Sequence, residues 1–147
     1  MRLPALLIPA AAAALAGCTQ PPELTVDGAY VRLPAVAGRP GVAYFTVHGA
    51  TEATKLISVT SPVVIRSELH ESMTSGVMSS MAPIRDVPVP ARAELVFAPG
   101  GKHVMLFDIN QRVKPGSTMK LLFTFSNNAR ITVQAPAIAA GDPAPAS

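Results

Sequence analysis

Four potential metal ligands, two histidines and two methionines, lie at defined spacing in the middle of the chain. Met81 follows His70 after ten residues, His103 follows after a further twenty-one, and Met105 comes next but one, giving H-x10-M-x21-H-x-M. Because alternate side chains of a strand share a face, His103 and Met105 in GGKHVMLFDI are predicted to point to the same side. Taken alone, His103 could be a polar residue near a strand end with its hydrogen bonds satisfied, and Met105 could be a flexible side chain that fills space. The spacing of all four residues favours a binding site.

The types of these side chains indicate which ion they would bind. Thioether sulfur is a soft, neutral donor that discriminates against hard cations, and imidazole adds a stronger donor of borderline character. Two of each without a thiolate suit Cu(I), a d10 ion that accepts tetrahedral or trigonal geometry. A structural zinc site would need Cys or more His, and a blue-copper centre needs a thiolate. Cu(I) is therefore the predicted cofactor, with His70, Met81, His103 and Met105 as its ligands.

Short β-like segments separated by Gly and Pro must position these ligands. Several segments alternate clearly, as in VAYFTVH, and no window combines a helical period with capping residues. The fifteen prolines break any long helix and mark turns. This pattern predicts an all-β single domain, a Greek-key barrel or sandwich. The predicted strands are Leu24–Leu33, Val42–His48, Lys55–Thr60, Ile65–His70, Val77–Ile84, Ala93–Phe97, His103–Ile109, Met119–Phe125 and Ile131–Gln134.

The N-terminal segment has the pattern of an export signal. Arg2 precedes an apolar run too short to span a bilayer, and the run ends in Leu-Ala-Gly-Cys. LAGC resembles the bacterial lipobox, so we predict acylation of Cys18, with a plain signal peptide or a signal anchor as the alternatives. The predicted location is the periplasmic side of a bacterial envelope, and Thr19 in place of Asp favours the outer membrane.

These features divide the chain into four parts. Residues 1–17 are the predicted lipoprotein signal, 18–23 a lipidated tether, and 24–136 the copper-binding domain. The segment from Ala135, APAIAAGDPAPAS, offers little to bury, so residues 137–147 are predicted to form a disordered tail.

The composition excludes several classes of function. The chain has 147 residues, 49% of them hydrophobic, which is enough for one domain with a core. Its charged fraction of 14%, net charge of +3 and lack of Trp argue against nucleic acid as a partner. Cys18 is the only cysteine, so once it is acylated the domain has no thiol. The sequence has no G-x-S-x-G motif and no acid placed to orient a histidine, so it does not support hydrolase chemistry. We predict that the protein is not an enzyme.

The same residues resemble the periplasmic copper chaperones of the PCu(A)C family. That family has a His, ten residues, a Met, twenty-one residues and then His-x-Met, and His70, Met81, His103 and Met105 match it without a gap. The resemblance extends from about Ala29 to Pro136 through AYVRLP, GVAYFTV, SELHE and VPVP. It implies a cupredoxin-like β-barrel and a role as a Cu(I) metallochaperone. The implied acceptor is the copper site of cytochrome c oxidase subunit II, with a Sco-type thiol protein as a possible co-worker.

Two other functions stay open at this stage. A copper-sequestering or resistance lipoprotein would use the same ligands without delivering the metal. A copper oxidase or electron-transfer protein is disfavoured by the missing thiolate and the weak ligand set.

Three further residues of ligand type lie outside the motif. Glu71 occupies a position after the first histidine where family members sometimes have Met. Met73 and Met78 are read as hairpin filler or, alternatively, as a transient second site during copper transfer. His48 is predicted to be a surface histidine, and Arg66 and Lys102 are predicted to be solvated charges.

Overall fold

Ten β-strands and no helix make up the part of the chain that the structure, a computed structural model, describes, residues 20–146. The strands are β1 (Thr25–Arg32), β2 (Gly41–His48), β3 (Thr54–Thr60), β4 (Val64–Ser75), β5 (Met78–Pro83), β6 (Val87–Val89), β7 (Glu94–Phe97), β8 (Lys102–Ile109), β9 (Thr118–Phe125) and β10 (Arg130–Ile138). Within residues 20–146 no helix exists that could cross a membrane. The prediction of an all-β fold is confirmed, and the predicted signal peptide and Cys18 lie outside the described residues.

The strands form two packed layers that are continuous through one short parallel contact. The first layer has the order β5-β4-β8-β2-β1, with β7 pairing the far half of β2, and the second has the order β10-β9-β3-β6. Val31 and Arg32 of β1 pair in parallel with Ala137 and Ile138 of β10, which joins the layers. All other strand pairs are antiparallel.

The core lies between the layers and is built by alternation along each strand. In β2, Ala43, Phe45 and Val47 are buried while the residues between them are partly exposed, as the sequence pattern predicts. Phe45 stacks on Phe97 at 4.3 Å between ring centroids and meets Phe123 of the second layer edge-on at 4.7 Å. Aromatic pairs of this kind add about 0.5–1.5 kcal/mol to the burial of their area. The rigid core leaves the outer face of the first layer free for other chemistry.

The C-terminal boundary predicted from the sequence is wrong. Strand β10 continues to Ile138, and Ala135 and Ala137 are almost fully buried. The amide of Leu33 donates to the Ile138 carbonyl at 2.9 Å, and the Arg32 guanidinium donates to the carbonyl oxygens of residues 139, 140 and 142. Small side chains are suited to this position because β1 runs directly beside β10 there. The predicted tail therefore completes the sheet up to Ile138.

Two further differences concern strand lengths. The short strand β6, Val87–Val89, is absent from the predicted strands; it contains Pro88, is followed by Pro90, and pairs with β3 at three positions. Strand β4 continues five residues beyond His70 to Ser75, where it joins β5 through a two-residue turn. Gly76 takes φ = +62° in that turn, a conformation that glycine adopts without strain.

The β4–β5 hairpin projects beyond the rest of its layer. The last pair between β4 and β8 is Glu71 with Lys102, followed only by a hydrogen bond from the Ser72 amide to the Gly101 carbonyl. The hairpin then continues to Ser75 with β5 as its only neighbouring strand among the described residues. One of the predicted ligands, Met81, is carried by this projecting part.

Candidate metal centre

The register of three adjacent strands brings the four predicted ligands to one face. His70 of β4 is directly opposite His103 of β8, and Glu68 is opposite Met105. On the other side of β4, Ser72 is opposite Met81 of β5. Side chains of paired residues share a face and alternate along the strand, so all four predicted ligands point to the same side. Met81 and Met105 are each diagonal neighbours of His70.

This shared face is the outer face of the first layer. The residues that alternate with the ligands, Leu69, Val104 and Leu106, are buried in the core. The ligands themselves become more exposed from β8 towards the edge strand. His103 is 5% exposed, the His70 side chain 14%, and Met81 58%. The candidate site therefore has one anchored side and one side open to solvent.

Hydrogen bonds orient the two imidazole rings differently. Nδ1 of His103 lies 2.9 Å from the Gly101 carbonyl oxygen, so it donates and leaves Nε2 with the free lone pair. Nε2 of His70 lies 3.0 Å from Oε2 of Glu68, so it donates to the carboxylate and leaves Nδ1 as the acceptor nitrogen. Nδ1 of His70 is buried and has no hydrogen-bond partner within residues 20–146. A buried acceptor without a partner is costly unless something binds it.

Two charged residues, Arg66 and Glu68, precede His70 on the same face of β4, and Glu68 contacts its imidazole. Arg66, Glu68 and His70 lie on one face of β4, and Arg66 forms an ion pair with Glu68 while its guanidinium lies 3.8 Å from the centroid of the Phe107 ring. Burial, together with the nearby positive charge of Arg66, holds the pKa of His70 below 6.5. A lowered pKa favours the neutral imidazole, the form that can bind a metal.

The arrangement has the donors of a soft-metal site. The His70 and His103 ring centroids are 5.9 Å apart, and metal–imidazole bonds are about 2 Å long, so one ion can reach both rings. In the described part of the chain, no three His, Asp or Glu side chains group in a way that could hold a metal. Two imidazoles completed by two thioethers suit Cu(I) better than a hard cation.

His48 and Lys102 are not part of the four-ligand site. His48 is at the far end of β2, with Nε2 2.8 Å from Asp27 and Nδ1 3.4 Å from Glu94. Lys102 forms an ion pair with Glu71 at 2.8 Å, so it is a paired charge beside the site and not a solvated one.

Sequence reasoning missed the role of Glu68. Its signal was present in the alternation of IRSELHES, which puts Arg66, Glu68 and His70 on one face. The sequence does not reveal that the carboxylate contacts the imidazole, because that contact depends on side-chain rotamers packed against β8.

The fold is that of PCuAC domains. A copper-bound PCuAC domain from PmoF2 superposes with a TM-score of 0.68 at 21% identity, over 82% of this chain and 96% of that one. A solution structure of CuI-DR1885 from Deinococcus radiodurans matches with a TM-score of 0.67 at 27% identity, over 86% and 85% of the two chains. The apo form of DR1885 matches over 95% of both chains at 27% identity and a TM-score of 0.59.

Residues 24–137 match the family model described as "Putative lipoprotein LpqE-like". The chain belongs to this LpqE-like family, and the predicted relationship to PCu(A)C proteins is confirmed by the family model together with the shared fold. A search of curated proteins gave no significant match.

Proposed function

We propose that this protein is a copper chaperone of the bacterial envelope that binds Cu(I) through His70, Met81, His103 and Met105. It takes no part in chemical turnover, and the metal is its cargo. The observation that carries the proposal is the register of β5, β4 and β8, which aligns two imidazoles and two thioethers on one outer face.

The state of the two histidines supports Cu(I) binding. One ring nitrogen of each histidine is engaged by Glu68 or by the Gly101 carbonyl, and the other nitrogen is left free to bind. The unpartnered Nδ1 of His70 is the expected donor of that residue. Hydrogen bonds of this kind fix the tautomer and the ring orientation of a metal-binding histidine.

The gradient of exposure supports delivery of the metal. Met81 is the most exposed of the four and is a weak neutral ligand, so an incoming donor can replace it without proton transfer or redox change. The buried His103 would be the last ligand to dissociate from the metal. Copper would thus pass to an acceptor by stepwise ligand exchange from the β5 side.

We also propose that a lipid on Cys18 holds the protein on the periplasmic side of the envelope, in the outer membrane of a two-membrane bacterium. The family description and the LAGC pattern support lipidation. The proposed acceptor is a cuproprotein such as cytochrome c oxidase subunit II, or a Sco-type protein.

Competition with a Cu(I)-specific chelator tests the ligand set. We expect one Cu(I) at the four-ligand site, a loss of about tenfold in affinity for Met81→Leu or Met105→Leu, and about a hundredfold for His70→Ala or His103→Ala, equivalent to about 1.4 and 2.8 kcal/mol. Met119→Leu, in the core, is the control for loss of a thioether. Equal losses for Met and His variants, or Zn(II) competing as well as Cu(I), would contradict the proposal.

A transfer assay separates delivery from sequestration. Holo-protein is mixed with an apo copper acceptor, and the copper content of each is measured after separation. Transfer to the acceptor supports a chaperone, whereas retention with intact binding indicates a sequestering protein with the same site.

A further inference from the structure

The β4–β5 hairpin carries thioethers on both of its faces. Met73 pairs with Ser80, and Met78 pairs with Ser75, so Met73 and Met78 are diagonal neighbours on one face. Met81 pairs with Ser72 and points to the opposite face. Diagonal positions lie about 7–8 Å apart at the backbone, which long flexible side chains can span. The two methionines outside the H-x10-M-x21-H-x-M motif therefore form a pair of their own.

This second face of the hairpin is open to solvent. It continues the core side of β4, but the hairpin projects past the last β4–β8 pair, Glu71 with Lys102. Met73 is 53% exposed and Met78 75% exposed. Thioethers are apolar, but these two side chains do not pack in the core, so packing does not explain why methionine occupies both positions.

The groups around the pair favour a soft ligand. The other two members of the four-residue face are Ser75 and Ser80, whose hydroxyls are neutral. The nearest carboxylate along the strand, Glu71, is engaged by Lys102 at 2.8 Å. Among the described residues of this face, the Glu71 carboxylate is thus paired with a cation, and the thioether sulfurs are the neutral soft donors available.

We propose that Met73 and Met78 form a second metal site, specific for soft monovalent cations such as Cu(I) and weaker than the four-ligand site. Two thioethers leave coordination positions open, so the ion exchanges readily with solvent or with an incoming donor. Met78 and Met81 are three residues apart on β5, about 10 Å along the strand. The second site would thus hold copper close to the most exposed ligand of the first.

Nuclear magnetic resonance of methionine methyl groups tests this proposal with Ag(I) as the soft probe ion. The full chain carries Cys18→Ala, which removes the one thiol, and is labelled with 13C at the methionine methyls in chloride-free buffer. We expect the Met81 and Met105 methyls to shift first, and the Met73 and Met78 methyls to shift together at higher Ag(I). The buried Met119 methyl should not move, and it serves as the internal control.

The Met73→Leu substitution distinguishes a shared site from two independent thioethers. In that variant the Ag(I) concentration needed to shift Met78 should rise at least tenfold, because the ion loses one of its two protein ligands. An unchanged Met78 titration in Met73→Leu, or no shift of Met73 and Met78 in the parent, would overturn the second site. Because the two sites report through different methyls, failure of the second site is distinct from failure of the four-ligand site.

Discussion

At the scale of single residues, the site depends on groups that do not themselves bind the metal. Glu68 and the Gly101 carbonyl each accept a hydrogen bond from a ring N–H, so that His70 and His103 are left with different nitrogens free to bind, Nδ1 and Nε2 respectively. Such outer contacts typically change metal affinity by 10–100-fold. The histidines also differ in their surroundings, because His103 is almost fully buried. Its replacement by Ala is therefore expected to cost about 1 kcal/mol of stability through the lost hydrogen bond.

Removal of Glu68 should weaken Cu(I) binding without removing a ligand. In Glu68→Ala, Nε2 of His70 loses its acceptor and the ring is free to change tautomer and orientation, so we expect about a tenfold loss of Cu(I) affinity. Chelator competition measures this loss. Glu52→Ala, which removes an exposed carboxylate from the loop after β2, is the matched control. Identical affinities of the two variants would show that Glu68 does not position His70.

The pH dependence of Cu(I) binding should reflect the lowered pKa of His70. Burial and Arg66 depress this pKa below 6.5, so His70 remains neutral at pH values where an exposed histidine is already protonated. Its contribution to Cu(I) affinity should therefore decline only as the pH falls below 6.5. The unfolded chain binds a proton at higher pH than the folded one, so His70 should also make the fold less stable as the pH falls below 6.5.

Substitution of Arg66 tests the second, electrostatic cause of the lowered pKa of His70, the larger cause being burial. In Arg66→Gln the positive charge is lost and the pKa of His70 should rise, moving the acid limb of Cu(I) binding to higher pH. Imidazole proton resonances of the apo-protein report the pKa directly, and Arg39→Gln, in the exposed loop before β2, controls for net charge. A His70 pKa at or above 6.5 in the parent protein would contradict this prediction.

At the scale of elements, strand parity is the property that brings the ligands together. His103 and Met105 are two residues apart, and their common face follows from the alternation of any strand. His70 and Met81 are on different strands, and their common face depends on the two-residue turn at Gly76 and Val77, which sets the register of β4 against β5. A one-residue slip of this register would put Met81 on the opposite face.

The C-terminal part of β10 should contribute measurably to stability. A chain ending at Pro136 loses the hydrogen bonds from Leu33 to the Ile138 carbonyl, from Ala137 to Ser117 and from Gly116 to Ala137. At about 1 kcal/mol each, the free energy of unfolding should fall by about 3 kcal/mol. Urea denaturation of this chain and of one ending at Asp142, the control that keeps all three bonds, measures the difference. Equal stability of both chains would restore the earlier boundary at residue 136.

At the scale of the whole molecule, the open side of the site lies at the free edge of the first layer. Strand β5 ends that layer, so an acceptor can approach Met81 without displacing another strand of the described chain.

Anchoring should depend on Cys18. In the native host, Cys18→Ser should block processing or release the protein from the membrane fraction, because serine has no thiol to carry the lipid. Fractionation after labelling with a radioactive fatty acid detects the change, and Thr19→Ser should remain anchored and labelled. A processed Cys18→Ser protein that stays in the membrane would disprove the lipid anchor.

The sequence by itself determined the candidate ligands and the fold class. The residue types determine which metal is preferred, and the alternating hydrophobic pattern with frequent Gly and Pro predicts strands. Residue type and hydrophobic pattern are both local properties of the sequence. The four predicted ligands, His70, Met81, His103 and Met105, could therefore be named from residue type, spacing and the family resemblance, and the strand register puts them on one face.

Only the tertiary structure decided which nitrogen each histidine offers, the contact of Glu68 with His70, and the continuation of β10 to Ile138. The contacts to the two histidines join residues only two apart but depend on side-chain rotamers, which the sequence does not state. The continuation of β10 depends on residues far apart in sequence, such as Ala137 beside Val31. Ala135 and Ala137 carry little local strand signal, and they are ordered because β9 and β1 pair with them. Register and packing arise from long-range contacts, which composition and periodicity do not encode.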